Sequence, residues 1–543
     1  MPEPTRRNIL RTAAVVTGGV FMAATQPAGR ASAAETGVAE TAPAGNGALM
    51  TARGDLALTH VTAIDATGRR PQPDMTVLVR GERIALIAKS REVRIAPGTK
   101  TVDLTGKYLI PGLCDMHVHS DDLEKIYPPL YIANGVTTVR EMNGLPFHYE
   151  WRDRVEGGSL LGPHMVVASR MIDGTPSLWD GIPLPIIKAG TEAEARDAVR
   201  KLKREGADFI KVYTRVSRPV YHALADEARR QGIPFAGHCP DAVPMPEASD
   251  AGQRSFEHLF WTWFSTSSRE AEIRRGLAEI TIDSDNAYNS WFQQIHPLEW
   301  MAAHSYDHKK AAALFAQLVA NGSRQVPTLT VHQVVDRPDD FSPDDERLKY
   351  LPASRLREWQ WQIEELYLAG RTPEEFAQHR ELFGHRLRLV GAMRRAGVPI
   401  MAGTDTINPY TFPGFSLHDE LALLVEAGLT PMEALQAATL EPARFLGVEH
   451  ALGTVQKGKI ADLVVLDANP LDTIRNTRMV HAVVVRGRLI SSEQRARMLA
   501  DVEAAAQEPT EPASVGSAGA AASGLAGARR TAGGCDCHGR VRA

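Results

Sequence analysis

Two histidines spaced two residues apart, His117 and His119, are the first residues whose types and spacing could do chemistry. They end an apolar run that begins at Leu109. In a β-strand this spacing places both imidazoles on one face, because side chains alternate with period two. Two neutral imidazoles at a strand end can chelate a first-row divalent metal ion, zinc above all. Among 18 histidines such a pair also arises by chance, so an exposed or hydrogen-bonded pair is the alternative.

Four further apolar segments each carry a side chain that can bind a metal. Lys211 lies inside one run, His238 and His258 end two others, and Asp405 follows a Gly-Thr step. Singly, each has a structural explanation: a lysine can extend from a strand edge, a histidine can be hydrogen-bonded in the core, and an aspartate can cap a helix. Five such segments in one chain favour a common metal centre.

In this order the segments resemble the amidohydrolase superfamily, whose ligands follow the order His-x-His, Lys, His, His, Asp. Their surroundings are most similar to its prolidase and imidazolonepropionase-like members. The resemblance covers residues 53–490 and includes segments at 133–140, 430–439, 442–447 and 457–467. Glu141 stands where relatives often have Asp, and Cys114 where they often have Ile. Neither difference affects an expected ligand.

An alternation of strand and helix patterns predicts the elements that position these residues. Strand-like runs lie near 108–117, 135–142, 164–172, 208–213, 233–238, 255–260, 325–332 and 398–405. Helical patterns lie between them, including 192–205 closed by Gly206 and 219–231 closed by Gly232. Eight strands with interleaved helices predict an α/β fold, a (β/α)8 TIM barrel over residues 108–449. The ligand segments end at the carboxyl side of their strands, where barrel enzymes place their chemistry.

The remaining segments predict a second domain and two insertions. Short β-rich pieces with turn signals fill 53–107 and 450–492, and the resemblance implies that they form one small β-sandwich domain. The stretches near 261–324 and 333–384 are long for barrel connections and predict helical insertions that act as lids. His304 and His308 in the first stretch have an i, i+4 spacing that can bind metal. They lack the glutamate of the H-E-x-x-H motif, so a solvated helix face is expected.

Both ends of the sequence are expected to lie outside the folded enzyme. Residues 1–33 combine a twin-arginine pattern, an apolar run and an A-x-A cleavage site, which is typical of a twin-arginine signal peptide. A disordered basic start is the alternative. The apolar run is too short to span a bilayer, so no stable membrane anchor is expected. We expect export by the twin-arginine machinery to the periplasm or the extracellular space, and a low-complexity tail over 505–543.

Composition limits the class of partner. Hydrophobic residues make up 43% and charged residues 23%, and 61 basic against 65 acidic residues give a net charge of −4. This balance offers no support for a nucleic-acid partner or a polyanionic substrate. A small-molecule or short peptide substrate is expected, and oligomerisation stays open.

The resemblance also implies a binuclear centre with two divalent metal ions, zinc above all. Lys211 would be carboxylated on its side-chain nitrogen, because a protonated lysine, with a pKa near 10.4, cannot bind a metal. One ion would be held by His117, His119, Lys211 and Asp405. The other would be held by Lys211, His238 and His258.

The implied reaction begins with attack of a metal-bridging hydroxide on a carbonyl carbon, with Asp405 as the catalytic general acid and base. Tyr213, two residues after the lysine, is a candidate catalytic donor to the oxyanion, and a packing role is equally open. His332 is a candidate substrate-binding residue because it follows the seventh predicted strand.

These residues predict an exported hydrolase that cleaves the C–N amide bond of a dipeptide or an N-acyl amino acid. Mononuclear deaminases of the superfamily lack the lysine and carry a glutamate shortly after the histidine of the fifth strand. Here Lys211 is present, and His238 is followed by Cys, Pro and Asp. The alternatives are a cyclic-amide hydrolase of the imidazolonepropionase type, a hydrolase of lactones or phosphotriesters, and a non-catalytic barrel used for binding.

Overall fold

The computed structural model describes residues 50–52, 54–182 and 184–508. The predicted signal peptide lies outside the described residues, and so does residue 509 onward, which includes most of the predicted tail. Across the described ranges, no helix combines the length and apolar character needed to cross a bilayer.

The first part of the described chain consists of strands. They are β1 (Met50–Ala52), β2 (Leu56–Ala63), β3 (Gln72–Arg80), β4 (Arg83–Lys89), β5 (Val93–Ile95), β6 (Lys100–Asp103) and β7 (Tyr108–Pro111). β2 pairs antiparallel with β3, which pairs antiparallel with β4, whereas β6 and β7 lie parallel to β2. Leu58, Val61, Val77 and Val79 are fully buried in one apolar cluster between these strands. Burial of β-branched and leucine side chains on a shared face stabilises this sheet.

A second set of strands is parallel throughout. It consists of β8 (Leu113–Val118), β9 (Val136–Glu141), β10 (His164–Val167), β11 (Ile172–Asp173), β12 (Ile187–Lys188), β13 (Ile210–Val212), β14 (Phe235–Gly237), β15 (Ser255–Glu257) and β16 (Arg324–Val326). β8, β9 and β10 form one sheet, and the others form a second sheet in the order β12-β11-β13-β14-β15-β16. β8, β9 and β13 to β15 are buried at every residue, as parallel strands covered on both faces are.

Single parallel bridges connect the two sheets. Ala168, just after β10, pairs with Phe209, just before β13. On the other side, Gln325 pairs with Ile400, and Thr406 pairs with Val118 of β8. Residues 400–406 therefore lie between β16 and β8, beside the histidine pair.

The α-helices of the described chain alternate with these strands and then extend beyond them. They are α1 (Tyr127–Ala133), α2 (Pro146–Glu156), α3 (Glu192–Arg204), α4 (Arg218–Gln231), α5 (Met245–Asp250), α6 (Phe260–Thr266), α7 (Glu270–Glu279), α8 (Ala287–Ala303), α9 (His308–Ala320), α10 (Leu329–Asp336), α11 (Ala353–Trp361), α12 (Pro373–Arg395), α13 (Phe415–Glu426), α14 (Pro431–Ala437), α15 (Leu440–Leu446) and α16 (Ser492–Gln507).

Local signals explain the two helices that were predicted before the lysine and the next strand. α3 begins with a capping box, in which the Thr191 side chain accepts from the Glu194 amide and the Glu194 side chain accepts in return. α4 ends at Gly232, whose φ of 61° lies in the left-handed region that favours glycine. Both helices are confirmed to within one residue of the predicted bounds.

Several predicted strands are wrong in part. The run 108–117 divides at Gly112, because β7 pairs with β2 and β17 in one sheet and β8 pairs with β9 in another. The run 325–332 ends as a strand at Val326 and continues as α10, and the run 255–260 ends at Glu257 before α6. The run 164–172 ends as a strand at Val167, and the run 398–405 contributes a single bridge, at Ile400. Short buried apolar runs do not separate strand from helix by periodicity.

The last strands return to the first sheet. They are β17 (Leu463–Leu466), β18 (Val480–Val485) and β19 (Arg488–Ile490). β17 lies antiparallel between β7 and β18, which gives one eight-stranded sheet in the order β19-β18-β17-β7-β2-β3-β4, with β6 beside β2. Strands from both ends of the described chain therefore share one sheet, whereas the two facing layers of a sandwich stay a prediction.

The two long stretches expected to be insertions contain α6 to α9 and α10 to α12. A buried ion cluster joins them: the Arg386 guanidinium of α12 donates to Asp336 of α10 at 2.7 Å and to Glu299 of α8 at 2.9 Å. All three side chains have no exposed surface. The cluster fixes how these helices pack, while their action as a lid stays a prediction.

Candidate active site

The predicted ligands at the end of β8 meet the aspartate that follows residues 400–404. His117 Nε2 lies 3.2 Å from Asp405 Oδ1, and His119 Nε2 lies 3.3 Å from the same oxygen. The three side chains form a group that could hold a metal ion. Backbone contacts fix their relation, because the Asp405 amide donates to the His117 carbonyl at 2.8 Å and the His119 amide donates to the Thr406 carbonyl.

The hydrogen bonds of His117 test whether a cation fits this group. Its Nδ1 lies 3.0 Å from Glu257 Oε2, and an ionised carboxylate only accepts, so Nδ1 carries the hydrogen. The buried Nε2 then presents a lone pair toward Asp405 and has no hydrogen-bond partner among the described residues. A histidine whose other ring nitrogen is fixed by a carboxylate is the usual arrangement at metal centres. The residues therefore fit a divalent metal ion.

His238 and His258 end β14 and β15 and lie beside this group. Their ring centroids are 4.8 Å apart, and the His258 ring is 5.1 Å from that of His117. His258 Nδ1 is 2.7 Å from the Thr328 hydroxyl, which itself donates to the Pro327 carbonyl and therefore accepts from Nδ1. His258 Nε2 is left with a lone pair, 3.9 Å from Asp405 Oδ2.

Lys211 points inward from the middle of β13 and is 1% exposed. Its stem passes Gly237 of the neighbouring strand, where a Cβ would lie 2.9 Å from Lys211 Cδ and 2.3 Å from the Val212 carbonyl oxygen. Only glycine leaves this passage open. Burial lowers the pKa of Lys211 to about 8, against the opposing attraction of Glu257 and Asp405. A larger fraction of Lys211 is therefore neutral at pH 7 than of a lysine in water.

Two functional side chains were missed by sequence reasoning. Arg140 of β9 donates to both Glu257 carboxylate oxygens at 2.9 Å and to the Met116 carbonyl at 2.6 Å. Both charged side chains are at most 1% exposed. Burial alone would raise the pKa of Glu257, but Arg140 holds it well below its usual range. The signal available in the sequence was a charged residue inside a short strand-like run, Arg140 in the run of β9 and Glu257 in that of β15.

The segment that carries Asp405 is held against β8 by a second buried carboxylate. Asp115 accepts from the Thr404 amide at 3.1 Å and from the Thr404 hydroxyl at 2.7 Å. Burial would raise the pKa of Asp405, but the positive charge and hydrogen bonds that the adjacent His117 and His119 supply when protonated hold it well below its usual range, and a bound cation would act in the same direction. Asp405 is therefore ionised at neutral pH.

Tyr213 and His332 flank the histidines. The Tyr213 ring stacks on that of His238 with centroids 4.1 Å apart, and burial raises the pKa of Tyr213 well above 10. His332 lies within α10 instead of following a strand, with its ring 6.0 Å from that of His258. It is 2% exposed, and its Nε2 has no hydrogen-bond partner among the described residues.

Known proteins share both the sequence and the architecture that carry this site. The sequence profile of the amidohydrolase family matches residues 372–490. An imidazolonepropionase of Pseudomonas paraeruginosa is 42% identical over 416 residues, which cover 72% of this chain and 87% of the relative. The chain therefore spans most of that relative and shares its family.

Solved structures agree with the fold. A bottromycin amidohydrolase has a TM-score of 0.61 at 24% identity, covering 83% of this chain and 90% of that protein. A Xaa-Pro dipeptidase with methionine bound in its active site has a TM-score of 0.58 at 20% identity, covering 80% and 99%. These likenesses show a mixed α/β fold shared with proteins that have a TIM-barrel core.

The family match and the geometry of the candidate site both indicate metal-dependent hydrolysis. Members of the family use divalent metal ions, and the described residues include a group that fits one, in which His117 and Asp405 are buried and His119 is partly exposed. The chain belongs to the amidohydrolase superfamily and is a hydrolase that acts on carbon–nitrogen bonds.

Proposed function

We propose that this chain is a binuclear metal-dependent amidohydrolase that cleaves the amide bond of a small peptide-like substrate, a dipeptide or an N-acyl amino acid. The observation that carries the proposal is the buried Lys211 side chain beside five metal-capable side chains, the four histidines and Asp405 of the candidate site. Its ammonium charge is attracted by the Asp405 carboxylate, and it adds to burial in lowering the pKa values of His238 and His258. A lysine in this position supports a second ion, because as a carbamate it offers two anionic oxygens.

We propose two sets of ligands, as the resemblance to the family implies. The first set is His117, His119, Lys211 and Asp405, and the second set is Lys211, His238 and His258. When bound, divalent ions lower the pKa of a water molecule from 15.7 to around 7 and polarise a carbonyl oxygen. Zinc suits a site rich in imidazole and carboxylate ligands.

Carboxylation of Lys211 is the covalent step that this centre requires. The neutral amine attacks carbon dioxide, a nitrogen–carbon bond forms, and one proton leaves for solvent. A pKa of about 8 leaves a larger fraction of neutral amine at pH 7 than an exposed lysine has. The narrow passage beside Gly237 supports the proposal, because it holds the lysine stem in one orientation.

Asp405 is proposed as the group that moves the proton. Its low pKa keeps it ionised, so it can accept a proton from the attacking water and deliver it to the departing amine. Tyr213 keeps its phenol proton and is proposed to donate a hydrogen bond to the developing oxyanion, with packing on His238 as the alternative. His332, buried beside His258, is proposed to contact the substrate.

Three broader proposals accompany this function. We infer an eight-stranded barrel made of β8, β9, β10, β13, β14, β15, β16 and residues 400–406. The bridges of residues 400–406 to β16 and β8, and the bridge between Ala168 and Phe209, support it. We infer a sandwich domain, supported by the sheet shared between both ends of the described chain. We infer export by the twin-arginine machinery to the periplasm or the extracellular space, supported by the pattern in residues 1–33.

A second candidate is the hydrolysis of a cyclic amide. The observation that favours it is the imidazolonepropionase relative, which is 42% identical over 416 residues. Attack of water on a ring carbonyl would use the same proton transfer by Asp405, and a bound divalent ion would supply the activation of that water. The second candidate differs in its substrate, and a single bound metal ion that does not depend on Lys211 would favour it.

A substrate panel tests the proposal. The full chain, loaded with zinc in the presence of bicarbonate, is incubated with dipeptides, N-acyl amino acids and an imidazolone, and amine release or ring opening is followed. Asp405→Asn is expected to lower kcat by about 10²–10⁴-fold. The exposed Asp339→Asn is the matched control and keeps full activity. Turnover of linear amides that is lost only in Asp405→Asn supports the proposal. Turnover of the imidazolone alone favours the second candidate, and turnover of neither contradicts both.

A further inference from the structure

A second group of metal-capable side chains lies on the helices of the two long stretches. His304 directly follows α8, while Glu381 and His385 lie one turn apart on α12. His304 Nε2 is 3.1 Å from Glu381 Oε1, and His385 Nε2 is 3.4 Å from the same oxygen. Their potential ligand atoms all lie within 4.8 Å of one another. We call these three residues the helix-pair cluster.

The hydrogen bonds of His304 determine what its inward nitrogen offers. His304 Nδ1 lies 2.8 Å from the Trp300 carbonyl oxygen, which can only accept, so Nδ1 carries the hydrogen. In the neutral ring, Nε2 therefore presents a lone pair to the Glu381 carboxylate. Two imidazole nitrogens thus converge on one anionic oxygen. A histidine that donates its other ring N–H to a backbone carbonyl is the common arrangement among metal ligands.

The sequence spacing suggests His308 as the second metal-binding residue beside His304, but the structure places Glu381 and His385 there instead. His308 is exposed at the start of α9, where its ring lies 5.1 Å from that of Tyr306. Glu381 and His385 lie 77 and 81 positions after His304 and reach it because α8 and α12 pack together. The same two helices also contact each other through His296 of α8, whose ring stacks on that of His379 of α12 with centroids 4.1 Å apart. His379 lies two positions before Glu381.

We propose that the helix-pair cluster is a zinc site separate from the active centre. Two imidazoles and one carboxylate supply three ligands, and a water molecule can occupy the fourth tetrahedral position. Side-chain exposures of 40%, 54% and 19% for His304, Glu381 and His385 leave the cluster open to ions from solution. An ion there joins α8 to α12 and so clamps the two long stretches together. Substitutions in the helix-pair cluster leave all the predicted ligands of the active centre unchanged, because the two groups share no residue.

Zinc binding by the full chain tests the proposal. The protein is first loaded at its active centre and then titrated with zinc by calorimetry, with the bound zinc counted by mass spectrometry. Wild type is expected to bind one zinc ion more than Glu381→Gln or His385→Ala, or to bind it at least about 10-fold more tightly. His308→Ala, which removes an exposed histidine outside the cluster, should match wild type.

Thermal unfolding provides a second readout that does not depend on turnover. Added zinc should raise the Tm of wild type and His308→Ala, and should leave the Tm of His385→Ala unchanged. If Glu381→Gln and His385→Ala bind as many zinc ions as wild type with equal affinity, the proposal is wrong. Failure of the proposed amide hydrolysis would appear in the substrate panel and not in this titration.

Discussion

Replacing Glu257 by Gln tests whether the buried Glu257–Arg140 pair organises the metal centre. The carboxylate accepts from His117 Nδ1 at 3.0 Å and from Arg140 at 2.9 Å. An amide can still accept one of these hydrogen bonds, but it carries no charge. The Arg140 guanidinium, 1% exposed, would then be buried without a counterion. The substitution therefore changes charge with almost no change in shape.

The magnitude has two parts. Breaking a buried ion pair by removing one partner costs about 3–5 kcal/mol of stability, because the remaining charge is uncompensated. Weaker orientation of the His117 ring lowers metal affinity by about 10–100-fold, the usual effect of losing a partner behind a metal ligand. Removing both charges in Glu257→Gln/Arg140→Met should restore part of the stability, whereas metal affinity should stay low.

The assay is denaturant unfolding in the presence of a chelator, followed by zinc competition against a chromophoric chelator. The exposed Glu365→Gln is the matched control and should match wild type in both measurements. Wild-type stability together with wild-type zinc affinity in Glu257→Gln would refute the reasoning. A double variant no more stable than the single variant would refute the charge argument alone.

Two further predictions concern His418, which is buried away from the candidate active site, and Gly403, which packs against His117. Burial lowers the pKa of His418 to about 4, so folding requires its neutral form. About 3 kcal/mol of stability, present above pH 6.5, should be lost as the pH falls toward 4. His418→Gln keeps a donor to the Asn134 carbonyl and should flatten that loss in denaturant unfolding; an unchanged slope would contradict this. Separately, Gly403→Ala puts a Cβ 2.9 Å from His117 Cβ and should cost about 1–3 kcal/mol and weaken zinc binding. Gly190→Ala is the control, because the nearest atoms to its added Cβ lie at an ordinary contact distance of 3.7 Å. Equal stability and zinc affinity in both glycine variants would contradict that account.

The segments that carry the predicted ligands could be recognised in the sequence, because each chemical side chain lies within or at the end of a short apolar run. Parallel strands bring their carboxyl ends together, so His117, Lys211, His238 and His258 could be expected at one edge from their positions in the chain alone. Element bounds were less predictable. His332 was placed after a strand and lies in α10, because an apolar run of eight residues fits a buried helix as well as a strand.

Partners that are distant in sequence could not be predicted. Glu257 was passed over as the residue before His258, and its role depends on Arg140, 117 positions earlier. The helix-pair cluster likewise joins His304 to Glu381 across 77 positions. The residue pattern within one segment does not reveal which other segment packs against it. Those contacts arise only when the helices and strands assemble into the core.

Zinc content per chain tests the binuclear, lysine-bridged centre most directly. The protein carries His385→Ala, so that the helix-pair cluster adds no ion, and is loaded with zinc and bicarbonate before mass spectrometry. In this background the account predicts close to two zinc ions per chain, a sharp fall with Lys211→Ala, and no change with the exposed Lys309→Ala. One zinc ion per chain that persists in Lys211→Ala would contradict it.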